Sequence, residues 1–209
     1  MCEVSFMDSQ NPHFALKGLA DARYGDAMRR LRALLGARLE PLKNIILVTS
    51  SWPNEGKTTT CLNLAATFAE GGRKVLIVDG DLRQQTSSRL APVELEGGLA
   101  SLLNDGEVAV HAIAPELWLA PGGRLADPSV LLVSQAFNLW LERQRHAFDL
   151  VFVDSPPLSV CKDALILSQY CDGTLVVASK SRFRGLDEGH YCEDLREQGA
   201  KIIGVVSTP

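Results

Sequence analysis

An α/β fold with a doubly wound, mostly parallel sheet and helices on both faces is what this sequence predicts, on three observations. Short apolar runs recur along the chain as Ile45-Ile46-Leu47-Val48, Val75-Leu76-Ile77-Val78 and Leu150-Val151-Phe152-Val153. Each is strand-length and apolar at successive positions, the pattern of a strand covered on both faces. Segments of helical periodicity separate them, and strand–helix–strand alternation implies parallel pairing through crossovers. Polar segments follow the strands directly, at the carboxyl ends where such sheets bind ligands.

At 209 residues the chain has the size of one ordinary domain. Residues 1–20 have no period and are expected to form an N-terminal arm, packed on or trailing from a domain spanning 21–209. A helix is predicted over 26–35, where Met28, Leu31, Leu34 and Leu35 fall at helical spacing and Arg29 and Arg32 occupy another stripe. Between residues 17 and 43 seven basic residues stand against three acidic ones, the composition of a solvated helix face. Strand 45–48 leads to a helix over 57–70 that Gly71-Gly72 stops. Strand 75–78, a weaker strand at 117–119, a helix over 128–146 and strand 150–153 come next. A helix over 162–170, strand 174–178, a helix over 186–198 and strand 202–206 complete the chain.

With 46% hydrophobic and 22% charged residues the chain is globular. Its net charge of -4 argues against nucleic-acid binding as the main role. The apolar runs are far too short for a bilayer, and Glu3 and Asp8 stand where a secretory signal would be basic and then apolar. Five cysteines (Cys2, Cys61, Cys161, Cys171, Cys192) without a C-x-x-C pair predict reduced, mostly buried thiols in a cytoplasmic protein. The histidines His13, His111, His146 and His190 show no metal-ligand spacing.

Chemistry concentrates after three strands. Ser51-Trp52-Pro53-Asn54-Glu55-Gly56-Lys57-Thr58 fits the phosphate-loop pattern G-x-x-x-x-G-K-[ST] except that Ser51 replaces the first glycine. The cradle consists of backbone N–H groups opening a helix, so that exchange leaves its physics largely intact. Lys57 would reach the outer phosphates and Thr58 would offer its hydroxyl to Mg²⁺. The second strand ends in Asp79-Gly80-Asp81-Leu82-Arg83. Two carboxylates one residue apart point the same way from extended backbone and call for a cation beside them. The third strand ends in Asp154-Ser155-Pro156-Pro157, an acid placed to hold the hydration shell of Mg²⁺ in P-loop ATPases.

Together these motifs resemble those of the bacterial tyrosine kinases (BY-kinases) of capsule and exopolysaccharide biosynthesis, P-loop NTPases related to partition and septum-placing ATPases. The similarity covers residues 26–206. Ser50-Ser51-Trp52-Pro53-Asn54-Glu55-Gly56-Lys57-Thr58 is similar to that family's Walker A, and Val78-Asp79-Gly80-Asp81-Leu82-Arg83 to its Walker A′. Residues 149–157 resemble its Walker B, and Asp26-Ala27-Met28-Arg29-Arg30-Leu31-Arg32 its oligomer-contact helix, with Asp for Glu. Pro121-Gly122-Gly123 with Asp127-Pro128 resembles its middle section.

The resemblance implies an Mg²⁺- and ATP-dependent protein-tyrosine kinase. Ser51, Pro53, Asn54, Glu55, Gly56, Lys57, Thr58 and Thr59 would bind ATP, and Thr58, Asp81 and Asp154 would hold or order the metal. Asp79 would take the proton of the incoming tyrosine, with Lys57 and Asp81 beside it in catalysis. It further implies a homo-oligomer through Asp26, Arg29 and Arg32, and a transmembrane polysaccharide co-polymerase that recruits the chain to the inner membrane face. The chain departs from the family at Gln84-Gln85, at Thr208 where an Asn would contact the base, and in having only Tyr24, Tyr170 and Tyr191 as tyrosines. Tyr24, just ahead of the arginine helix, is the better acceptor candidate among these. The alternatives are a nucleotide-gated regulator that never phosphorylates tyrosine and a partition-type ATPase, the latter opposed by Trp52 at the signature-lysine position.

Overall fold

The computed structural model describes residues 2–3, 22–39, 44–91, 95–104, 106–123, 125–180 and 187–208. Its strands are β1 (Cys2–Glu3), β2 (Ile45–Ser50), β3 (Val75–Asp79), β4 (His111–Ala114), β5 (Leu117–Ala120), β6 (Leu150–Asp154), β7 (Gly173–Ser179) and β8 (Ile202–Thr208). They form one sheet in the order β1-β8-β7-β2-β6-β3-β5-β4. Every neighbouring pair is parallel except β4 with β5. The helices are α1 (Ala22–Gly36), α2 (Lys57–Glu70), α3 (Thr86–Leu90), α4 (Pro128–Leu132), α5 (Gln135–Ala147), α6 (Asp163–Ser168) and α7 (Asp187–Glu197).

Strand alternation divides the core between the two faces. Ile46 and Val48 of β2 join Ile77 and Phe152 under Met28 of α1 and Leu64 and Phe68 of α2. Ile45 and Leu47 of the same strand point the other way, into a second cluster with Leu76, Val151 and Phe137, Trp140 and Leu141 of α5. Burial on both faces is why these strands are apolar at every position. From β2 the chain moves outward to β3, returns to insert β6 between them, and then places β7 on the other side of β2. That reversal opens a crevice beyond the carboxyl end of β2.

Several expectations need correction. The helix expected over 128–146 is two helices, because Ser134 caps a new start by accepting the Phe137 N–H at 3.1 Å. Asp127 caps α4 in the same way through the Ser129 N–H at 3.0 Å. Strand β4 escaped the sequence reading: it is an edge strand, largely half-exposed, and lacks a continuous apolar run. Of the cysteines, Cys61 is buried while Cys161, Cys171 and Cys192 are only half-buried. The first helix begins at Ala22, four residues earlier than predicted. That start puts Tyr24 in phase with Met28, Leu31 and Leu35, and Tyr24 is 5% exposed. A buried ring cannot accept a phosphoryl group in the folded chain, so Tyr24 is withdrawn as the acceptor. Of the predicted N-terminal arm, Cys2–Glu3 pairs with β8, and the rest lies outside the described residues. Among the described residues no helix is long and apolar enough to cross a membrane.

Candidate active site

Beyond Ser50 the chain turns through residues 51–56 and enters α2 at Lys57. Two residues take left-handed backbone, Asn54 at φ 63 and Gly56 at φ 82. For Gly56 this costs nothing, and it caps the helix with its amide-lined start facing the crevice. Glu55, 2% exposed, turns its carboxylate back onto the protein. It accepts the Trp52 N–H at 2.8 Å and the Ser179 N–H at 3.2 Å. The Thr208 hydroxyl donates to the Glu55 carbonyl oxygen at 3.1 Å. Glu55 therefore ties the loop to the ends of β7 and β8, and Thr208 serves the same tether. The segment after β6 supports the loop from below, with Leu158 N–H donating to the Ser50 carbonyl at 2.9 Å and Ser159 N–H to that of Ser51 at 3.0 Å. Pro53 and Asn54 are exposed, whereas Gly56, Lys57 and Thr59 are half-buried. Trp52 meets Tyr191 of α7 edge to face, with ring centroids 5.8 Å apart. Glu55→Ala should loosen the loop and weaken Mg-ADP binding about tenfold, the order expected when a charged acceptor of buried N–H groups is lost. Titration with a fluorescent ADP analogue checks this.

The three aspartates gather at the same end of the sheet. Asp79 and Asp154 are register partners on β3 and β6. They and Asp81 are each at most 1% exposed. Gly80 lets the turn between the first two acids press against β6: its N–H donates to the Asp154 carbonyl at 2.8 Å. A Cβ there would stand 2.8 Å from that same oxygen. Asp81 accepts the Gln84 N–H at 3.0 Å, and Arg83 forms an ion pair with buried Asp163 at 2.9 Å, fixing the turn from outside. Short helix α3 brings two hydroxyls onto the acids. Ser87 donates to Asp154 Oδ2 at 2.7 Å, and Ser88 donates to Asp79 Oδ2 from its hydroxyl at 2.5 Å and its amide at 2.8 Å. Neither serine drew notice in the sequence, because hydroxyl–carboxylate contacts across elements leave no local pattern.

Burial pushes the Asp79 carboxyl up to about 7, with the Asp154 charge adding to the rise and the Ser88 bonds opposing it. Burial also raises Asp154, to about 6, against the lowering influence of Lys57, Ser87 and Thr58. Four polar atoms here are buried without a hydrogen-bond partner: Ser51 Oγ, Thr58 Oγ1, Asp79 Oδ1 and Asp154 Oδ1. Buried acceptors and hydroxyls without partners, beside a lysine and a helix start, fit a nucleotide phosphate chain with its metal. Among the described residues no group of three or more His, Cys, Asp or Glu forms an all-protein metal site.

The remaining predicted residues lie away from this crevice. Arg29 pairs with Asp26 of its own helix at 3.2 Å, and both are exposed. Arg32 donates to the Thr67 carbonyl at 2.7 Å, near the C-terminal end of α2, where a cation complements the helix dipole. Tyr170 is half-buried against Phe137.

Residues 43–187 match the AAA domain family. The tyrosine-protein kinase CpsD of Streptococcus pneumoniae serotype 4 is 33% identical over 168 residues, covering 78% of this chain and 74% of that protein. The kinase domain of the Escherichia coli tyrosine kinase ETK superposes with a TM-score of 0.89 at 27% identity, covering 99% of this chain and 88% of that one. The septum site-determining protein MinD of Pyrococcus horikoshii, solved with Mg-ADP, shares the fold alone, with a TM-score of 0.66 at 23% identity over 78% of this chain and 68% of that one. With its phosphate loop, its paired strand-end acids and these relatives in view, the chain belongs to the family of bacterial tyrosine-protein kinases built on the P-loop ATPase fold.

Proposed function

We propose that this chain transfers the γ-phosphoryl group of ATP to a protein tyrosine, in the service of capsule or exopolysaccharide assembly. The observation that carries this reading is the pair of buried carboxylates, Asp79 and Asp154, adjacent across β3 and β6, each with one oxygen lacking a partner. Phosphoryl transfer is chiefly positioning and charge neutralisation, with one carboxylate facing the nucleophile. The Lys57 side chain and the backbone N–H groups of residues 54–59 hold the phosphates, with the Glu55 carboxylate shaping the loop through the Trp52 N–H rather than touching the ligand. Thr58, Asp81 and Asp154 would hold and order Mg²⁺, which when bound would neutralise charge on the phosphoryl groups. Asp79 takes the proton of the tyrosine hydroxyl as that oxygen bonds to the γ-phosphorus. The bond from the γ-phosphorus to the β,γ-bridging oxygen breaks, and ADP leaves with the electron pair.

The proposed setting is the inner face of the membrane, where a transmembrane co-polymerase recruits the chain. Self-association is assigned to α1 through exposed Asp26 and Arg29, with Arg32 supporting the helix from its bond to Thr67. Replacing Arg29 and Arg32 together with Ala should lower the sedimentation coefficient of an assembled sample while the circular dichroism of the monomer stays unchanged. Sedimentation like that of the parent would remove α1 from the interface.

A nucleotide-gated regulator is the second reading. It is favoured by the tyrosines themselves: Tyr24 is buried and Tyr170 and Tyr191 are half-buried. The readings part in one assay, with Mg-ATP and a synthetic glutamate–tyrosine copolymer. Labelled phosphate on the copolymer supports the kinase, and ADP release without it supports the regulator.

A further inference from the structure

The Pro121-Gly122-Gly123 turn and the serines of α3 have no part in the mechanism above, yet they close around its central acid. Asp79 Oδ2 accepts two hydrogen bonds from one residue, the Ser88 amide at 2.8 Å and the Ser88 hydroxyl at 2.5 Å. The hydroxyl oxygen faces the Gly122 N–H at 3.4 Å as its donor. With that N–H on its lone-pair side, the Ser88 hydrogen is directed to the carboxylate, since a hydroxyl has one donor to give. Gly122 reaches this position because it has no side chain: a Cβ would stand 2.9 Å from both the Asp79 carbonyl oxygen and Leu82 Cδ2. The other end of the turn is held as well, by Gln85 Nε2 donating to the Gly123 carbonyl at 2.8 Å. Asp79 Oδ1, by contrast, is buried without any partner.

We infer that Ser88, steadied by the Gly122 amide, is the positioning residue that locks the Asp79 carboxylate so that Oδ1 alone receives the nucleophile's proton. The inference rests on Asp79 being the base in the proposed function. Oδ2 is occupied by two donors and the carboxylate cannot rotate without breaking both. Oδ1 therefore keeps its lone pairs for the hydroxyl proton while the acceptor oxygen bonds to phosphorus and ADP departs. A base held in one orientation needs no rearrangement at the moment of reaction. Ser87, one residue earlier, makes the same kind of bond to Asp154 Oδ2 at 2.7 Å and leaves Oδ1 of that acid open. Successive residues of α3 thus set both carboxylates.

The test compares the wild type with Ser88→Ala and Ser88→Thr, with three readouts. These are Kd for a fluorescent ADP analogue with Mg²⁺, kcat for phosphorylation of the glutamate–tyrosine copolymer, and kcat for ATP hydrolysis without it. Ser88→Ala keeps the backbone N–H and loses only the hydroxyl. Its kcat should fall about 10- to 100-fold, the usual loss when a group that orients a functional side chain is removed, with Kd unchanged within about twofold. Ser88→Thr, which restores the hydroxyl, should recover kcat to within about threefold of wild type. Wild-type kcat in Ser88→Ala would overturn the inference, and so would equal losses in the two variants, since the hydroxyl would then not be the agent. A wild type that hydrolyses ATP but leaves the copolymer unmodified defeats the kinase reading instead. The same comparison is then read from hydrolysis, where water's proton needs the same oxygen.

Discussion

Lys57→Met should abolish phosphoryl transfer and ATP hydrolysis alike, lowering both by about a hundredfold or more, the scale for loss of one preorganised group that stabilises developing charge. Lys57 opens α2, half-buried, at the point where β2, β3 and β6 bring their polar ends together. Methionine has a similar stem and tolerates the same helix, so the fold should persist. The charge has a second role. The lysine is the strongest influence holding the Asp154 carboxyl down against its burial. Without it Asp154 stays protonated at higher pH and is a poorer partner for a metal. Nucleotide affinity and the Mg²⁺ requirement should therefore worsen together. ADP release measured over a range of Mg²⁺ concentrations checks both, and unchanged affinity and turnover would remove Lys57 from the phosphate site.

Asp79→Asn should lower transfer about 10²- to 10⁴-fold, the contribution of a positioned general base, while nucleotide binding survives. It should also make the ligand-free protein more stable at neutral pH. The Asp79 carboxyl rises from 3.8 to about 7 in the folded chain, chiefly through burial. Below pH 3.8 it is protonated in both states and contributes no pH dependence. Between about pH 4 and pH 7 the unfolded chain releases the proton while the folded chain retains it, so stability falls as pH rises. Above about pH 7 the penalty is complete. Asparagine removes it, so the Tm difference between variant and wild type should be near zero at pH 4, grow through pH 7 and then level off. Asp154, raised to about 6, leaves the variant a smaller slope of its own. Thermal melts at several pH values test this, and a variant less stable than wild type at pH 7.5 would contradict it. A more stable variant means that the base is held at a cost in stability, as is common where function demands a buried charge.

The strands that build the crevice were legible because burial on both faces leaves a continuous apolar run, as in β2, β3 and β6. The phosphate loop was legible in spite of Ser51, because a strand, a Gly-Lys-Thr and a helix stand in order. What escaped depends on contacts between distant segments. Strand β4 pairs with β5 at the sheet edge, so only part of it is buried and no period marks it. Glu55 looked like a ligand contact, yet its carboxylate spans from Trp52 to Ser179. Arg32 looked free to pair across an interface, yet it reaches the Thr67 carbonyl of its own chain. The apolar spacing predicts a helix that starts after Tyr24, whereas α1 includes it, and extending the period by one turn puts Tyr24 on the buried stripe.

Tyrosine phosphorylation driven by this phosphate loop is tested by mass-spectrometric mapping of phosphotyrosine after incubating the purified chain with Mg-ATP and a tyrosine-rich peptide. A co-polymerase cytoplasmic segment is added in a parallel sample, and Lys57→Met is the control. Phosphate on tyrosine that disappears in the control is the result expected here. ADP formed at the wild-type loop with no phosphotyrosine anywhere, the co-polymerase segment included, would contradict it and leave an ATP-driven regulator.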